Sequence, residues 1–282
     1  MQFLTTAQLE YDLMSEATVL ASIKCMRTPG QHVSNELLTS SRPVEMVDLV
    51  HDMAEGTFTR ITIFTPGHLS IIYSAKVVPS HALVAGTSLT SPHPGTMGAE
   101  LLPFIYPSRY CQSDQLRNVA ESIAGPDGSA FSRVSRIVEW IYQHIRYSPG
   151  TTNEQDSATD VLIKRSGVCR DFAHLAIALV RSLSIPARYL TAYASQLEPQ
   201  DFHACFEAYL GEQWCLFDPT HLAPLNGIVR IASGHDASDT AVASLYGDIV
   251  GADVSVCCTS QSPLTPVTQA ELLQSKTAFV LG

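Results

Sequence analysis

The segment from Phe172 to Leu183 constrains this chain most. Phe172, Leu175, Ala176, Leu179, Val180 and Leu183 recur at helical spacing, so a helix with one apolar stripe is expected, stopped by Pro186. Immediately afterwards the pattern changes to period two, with strands expected over 187–194, 202–210, 213–218 and 227–232. Helices that feed a run of strands imply an α+β architecture rather than alternating α/β units.

Earlier segments fit that order. Asp114 is placed to cap a helix bearing Leu116, Val119, Ala120 and Ile123. Phe131, Val134, Val138, Ile141 and Ile145 mark a longer one, and Ser157 with Asp160 forms a capping-box variant for a third. The first ~105 residues read as mainly β, with strands expected over 44–50, 57–64 and 69–78. We therefore expect two domains, a β-rich unit over 1–105 and a catalytic unit over 106–282. The apolar run from Leu101 to Tyr106 should pack the two against each other. Near the end, a short helix is expected from Ser238 through Leu245, a strand over 253–259, and a second capped helix at Thr268 and Glu271.

The chemistry sits at the start of the 172–183 helix. Gly167-Val168-Cys169-Arg170-Asp171 brings a cysteine to the first turn, where unpaired N–H groups and the helix dipole favour a thiolate. Taken alone, Cys169 reads equally well as a small buried hydrophobe. Downstream, the strands over 202–210 and 213–218 flank Gly211-Glu212, a type II′ hairpin turn by its leading glycine. That register sets Leu210 opposite Gln213, Tyr209 opposite Trp214 and Cys205 opposite Asp218. His203 then lies one diagonal step from Asp218, within reach of a His–carboxylate bond. A one-residue slip would separate them onto opposite faces. Cysteine, histidine and aspartate together suggest a nucleophile, its base and the group that orients the base.

Other candidates rank lower. Cys205 lies mid-strand, away from any helix dipole. His174 is five residues from Cys169, does not share its face, and reads as a packing residue. Asp171 should act on the helix dipole, Arg170 in a structural ion pair, and Glu207 in a contact on the His203 face. The stretch Gly234 to Asp239 holds one histidine and two carboxylates but reads as a turn with a cap rather than a metal site. His51, His68 and His81 are scattered and carry no constellation. No metal and no cofactor are expected.

The run from Arg165 to Arg188 (RSGVCRDFAHLAIALVRSLSIPAR), then Asp201-Phe202-His203-Ala204 and Trp214 to Thr220 (WCLFDPT), resembles the transglutaminase-like superfamily, and within it the bacterial transglutaminase-like cysteine protease or amidase group. The likeness extends through Tyr106 to Tyr110, Trp140 to Gly150, Val229 to Ala232 and Gly234 to Ala241. It is looser over the first hundred residues. It implies a papain-like core in which a cysteine helix packs on an antiparallel sheet or barrel. It also implies Cys169 as nucleophile, His203 as general base and acid, and Asp218 as the orienting carboxylate. One departure is Cys205, where many members carry a bulky aromatic.

These readings imply a cysteine-dependent acyl-transfer enzyme acting on amide or peptide bonds through a thioester, a hydrolase before a transglutaminase-type amine acyltransferase. A non-catalytic binding module with a relic cleft is the rival of another class. Tyr147 is a candidate partner for the Cys169 N–H in an oxyanion hole. A net charge of −10 over 282 residues argues against general affinity for nucleic acid or anionic membranes. The early segment carries Glu10, Asp12 and Glu16 and no long apolar run, so a cytoplasmic protein is expected. Seven scattered cysteines suit reduced thiols. The oligomeric state is left open.

Overall fold

The computed structural model describes residues 1–50 and 55–282; His51 lies outside them. The described strands are β1 (Phe3–Ala21), β2 (Gln31–Ser40), β3 (Glu45–Val50), β4 (Thr57–Ile63), β5 (Gly67–Pro79), β6 (His81–Ala85), β7 (Arg146–Tyr147), β8 (Ser166–Gly167), β9 (Ala187–Ala194), β10 (Phe202–Leu210), β11 (Gln213–Phe217), β12 (Ile228–Gly234), β13 (Ala243–Ser260) and β14 (Thr277–Leu281). The α-helices are α1 (Arg117–Ala124), α2 (Ala130–His144), α3 (Ala158–Lys164), α4 (Cys169–Ser182) and α5 (Gln269–Ser275).

Two six-stranded antiparallel sheets carry the fold. In the first, β1 pairs along its length with β13, and its other edge is shared by β5 and β4, with β2 and β3 outermost. The period-two burial of Leu69, Ile71, Tyr73, Ala75 and Val77 in β5 fixes which face is covered. The second sheet runs β12-β9-β10-β11-β14-β6. Helices α1, α2 and α4 cover one face of it, with Phe131, Val138, Ile141, Leu175 and Leu179 against Phe206 and Phe217. Helices before strands, with a β-rich N-terminal part, is the α+β arrangement the pattern called for.

The sheets do not divide at residue 105. Strand β6, from the N-terminal part, pairs with β14 at the edge of the second sheet, and β13 returns to pair with β1 in the first. Both are side-by-side additions to a distant sheet, which local periodicity cannot reveal. The two sheets also share a core: Tyr193, Val229 and Ile231 pack with Phe3, Val19 and Ile61. Buried bonds join them, from Tyr193 Oη to the Ile23 carbonyl at 2.7 Å and between Gln31 and the Arg230 backbone at 2.8 and 2.9 Å. The Leu101–Tyr106 run contributes less than expected; Phe104 instead packs edge-on to Trp214 and stacks on His235.

Three local expectations change. No helix runs from Ser238 to Leu245. Asp236 accepts the Ser238 N–H and O–H to close a turn, and from Ala243 the chain pairs with β1. Residues around Asp114 form a 3₁₀ turn, and α1 begins afterwards without a side-chain cap. The hairpin keeps its expected register, Leu210 with Gln213 and Tyr209 with Trp214. Its turn, however, has φ of 59° at Gly211 and 64° at Glu212. Two positive values make it type I′, whose twist also suits a two-residue hairpin.

Candidate active site

The loop before α4 is built around one carboxylate. Asp171, fully buried, accepts the Val168 N–H at 2.8 Å and the Thr152 hydroxyl at 2.6 Å, fixing the first turn. A side chain at Gly167 would collide with it, since a Cβ there would lie 2.6 Å from Asp171 Cβ. Asp171 therefore serves the loop as well as the dipole. Arg170 donates to the Asn153 carbonyl at 2.5 Å and lies 3.4 Å from Asp171, a structural role as anticipated.

That loop is also tied to the end of α2. Strands β7 and β8 make a parallel pair that sets Tyr147 beside Gly167, and Ser148 N–H donates to the Gly167 carbonyl at 2.9 Å. The bridge consequently sets the Tyr147 side chain near the Cys169 backbone. Burial, then the neighbouring Cys169, push this phenol up to about 12, so it stays a hydrogen-bond donor across the neutral range. Cys169 is the first residue of α4 and is partly exposed.

Helix α4 packs on β9 and β10, which brings the thiol to the start of β10. There His203, in register with Ala192, bonds through Nε2 to Asp218 Oδ2 at 2.9 Å. Its Nδ1 is buried without a partner in hydrogen-bonding geometry and is the nitrogen left for the Cys169 thiol, with which the ring interacts. Burial opposes a charged imidazole here. The Asp218 carboxylate, with Cys205 and Cys169, outweighs it and holds His203 well above the usual histidine value. Burial likewise disfavours ionised Asp218, yet His203 and Thr220 hold its carboxyl below the usual range.

The structure thus brings Cys169, His203 and Asp218 together, and adds residues that sequence reasoning missed. Thr220 donates its N–H at 2.9 Å and its hydroxyl at 2.7 Å to Asp218 Oδ1, leaving Oδ2 for His203. Gln269 on α5 accepts the Asp218 N–H at 2.8 Å. Thr220 could have been read from the DPT run, because a Thr two residues after Asp commonly closes such a turn. Gln269 carries no comparable signal.

The lower-ranked candidates sort as follows. His174 is fully buried, stacks on Tyr110 at 4.9 Å and accepts the Ala237 N–H. Burial depresses it to about 3, so it is a neutral packing residue. Glu207 does not turn to His203; it takes Arg188 Nε at 2.6 Å in a buried pair, and Arg188 lies over Trp214. Burial pushes the Cys205 thiol up to about 12. Metal-ligating atoms of His203, Cys205 and Asp218 lie within 4.8 Å of one another, so this is where a cation could be held.

Sequence models of known families match most of the chain. The transglutaminase-like superfamily core covers residues 117–219, and the bacterial transglutaminase N-terminal domain covers 1–92. A crystal structure of a candidate cysteine protease from Cytophaga hutchinsonii is 39% identical and superposes with a TM-score of 0.95, covering 100% of this chain and 98% of that one. An uncharacterised Mycobacterium leprae protein is 32% identical over 38% of this chain and 42% of its own length. One from Mycobacterium tuberculosis is 29% identical over 38% of this chain and 33% of its own. The aligned part is therefore less than half the length of these curated relatives. With both halves matched and a full-length relative at this identity, the chain belongs to the transglutaminase-like superfamily.

Proposed function

We propose that this chain is a cysteine-dependent acyl-transfer enzyme that hydrolyses amide or peptide bonds. The observation that carries the reading is the placement of buried His203 between Asp218, at 2.9 Å, and the thiol at the head of α4. Full-length similarity to a candidate cysteine protease supports hydrolysis ahead of amine transfer.

The chemistry follows from the positions. Cys169 Sγ gives up its proton to His203, and the sulfur attacks the substrate carbonyl. The resulting oxyanion is stabilised by the Cys169 N–H and the Tyr147 hydroxyl. His203, kept protonated by Asp218, delivers its proton to the departing amine and leaves a thioester on Cys169. Water enters, gives a proton to His203 and attacks the thioester. Collapse releases the acid and returns the proton to sulfur. A second amine in place of water would make the same intermediate a transferase intermediate.

The test is an acyl-trap assay. Peptide and glutamine donors are incubated with and without added amine, and products are read by mass spectrometry. Hydrolysis without amine that disappears in Cys169→Ser and His203→Ala is the expected result. Product only with amine overturns hydrolysis in favour of transfer. Full activity in Cys169→Ala, with iodoacetamide labelling elsewhere, overturns thiol catalysis altogether.

A further inference from the structure

The proposed acyl transfer needs one thiol, and a second one is buried beside the histidine. Cys205 is fully inaccessible, two residues along β10 from His203, and its thiol interacts with the His203 ring. One ligand atom each from Cys205, His203 and Asp218 falls within 4.8 Å of the others. All three residues are at most 2% exposed. The geometry points to a binding site for a soft divalent cation, Zn²⁺ or Cd²⁺, made of Cys205 Sγ, His203 Nε2 and Asp218 Oδ2, whose occupation switches the enzyme off.

The donor set matches the ion. Thiolate, imidazole and carboxylate are the ligands zinc takes, at about 2.3, 2.0 and 2.0–2.2 Å. Ligand atoms at those radii stand roughly 3.3–3.7 Å apart in a tetrahedron, so shifts on the order of 1 Å close the site. Thiolate and carboxylate together neutralise the cation, as burial against Leu190, Ala192 and Leu216 requires. The outer support is present: Thr220 donates twice to Asp218 Oδ1 and steers Oδ2 inward.

The proton balance explains inhibition. Binding displaces the Cys205 thiol proton and the Nε2 proton that His203 shares with Asp218, and both leave to solvent. His203 keeps a proton on Nδ1 but no longer has Asp218 to stabilise a second one. Cys169 is not a ligand, which separates this site from simple capping of the nucleophile. The inference goes beyond acyl transfer, and binding is read without any substrate.

The experiment titrates ZnCl₂ and CdCl₂ into the full chain carrying Cys169→Ala and Cys257→Ser, the latter removing an exposed thiol. Calorimetry gives stoichiometry, and cadmium–thiolate ultraviolet absorption reports the sulfur ligand. One ion per chain with a thiolate band is expected. Adding Cys205→Ser, or Asp218→Asn, should weaken binding at least about tenfold. Thermal melting checks that each variant is folded; Cys205→Ala replaces Cys205→Ser if the latter is not. No binding once Cys169 is removed, or undiminished binding without Cys205, overturns the proposal.

Discussion

Gln269 Oε1 accepts the backbone N–H of Asp218 at 2.8 Å, so α5, whose first residue lies 51 positions further along the chain, holds the carboxylate that orients His203. Gln269 is 2% exposed, so its bond to Asp218 lies away from bulk solvent. Gln269→Leu should strand that N–H at a cost of about 1–3 kcal/mol. The expected outcome is a lower melting temperature together with a fall in kcat at little changed KM. An unchanged kcat would show that Thr220 alone suffices to hold Asp218.

The cysteine loop offers a second test. A methyl group at Gly167 would meet Asp171 Cβ at 2.6 Å and Oδ2 at 2.9 Å, against the carboxylate that caps α4. Gly167→Ala should therefore cost about 1–3 kcal/mol through overpacking. It should also slow iodoacetamide labelling of Cys169, because the first turn of α4 must shift. Parental stability and labelling would mean the loop yields freely.

The His203–Asp218 pair predicts a pH window. Despite its burial, folded His203 holds its proton more tightly than a free histidine because of Asp218. That contribution is complete below the unfolded value of 6.5 and is lost as pH rises through the higher folded value. Asp218, shifted the other way by His203 and Thr220, contributes above 3.8 and loses its contribution as pH falls through its folded value. Both operate between these limits. Asp218→Asn should thus lower the melting temperature most between pH 3.8 and 6.5, with the gap narrowing as pH rises through the folded His203 value. A gap independent of pH would mean that the pair is not charged in the folded protein.

What was legible in the sequence was local or carried by a turn. The α4 stripe, the Ser157 and Thr268 capping boxes and the hairpin register follow from residues within a few positions of each other. The hairpin was enough to bring His203 to Asp218, because Gly211-Glu212 fixes the pairing whichever primed turn it adopts. Contacts between distant segments were not legible. The long strands β1 and β13 define each other, and of β13 only residues 253–259 were expected as strand, because the rest takes its pairing from β1 far along the chain. Glu207 shows the same limit: alternation set its face, but Arg188 across the ladder decided its partner. Gln269 entered the site from a helix whose sequence shows only its cap.

Tyr147 provides the sharpest test of the oxyanion geometry. The β7–β8 bridge ties it to Gly167, its ring leans on Phe172 with centroids 5.9 Å apart, and its side chain lies near the Cys169 backbone. Tyr147→Phe keeps the ring and the bridge and removes only the hydroxyl. Loss of one preorganised donor to an oxyanion costs about 10²–10³ in kcat. The His203–Asp218 bond lies outside the change, so iodoacetamide should label Cys169 at nearly the parental rate. Single-turnover acylation, followed by mass spectrometry, separates these two quantities. A large fall in acylation with labelling preserved is the expected pattern. Acylation at the parental rate would remove Tyr147 from the oxyanion hole, and a parallel fall in labelling would assign the hydroxyl to the nucleophile instead.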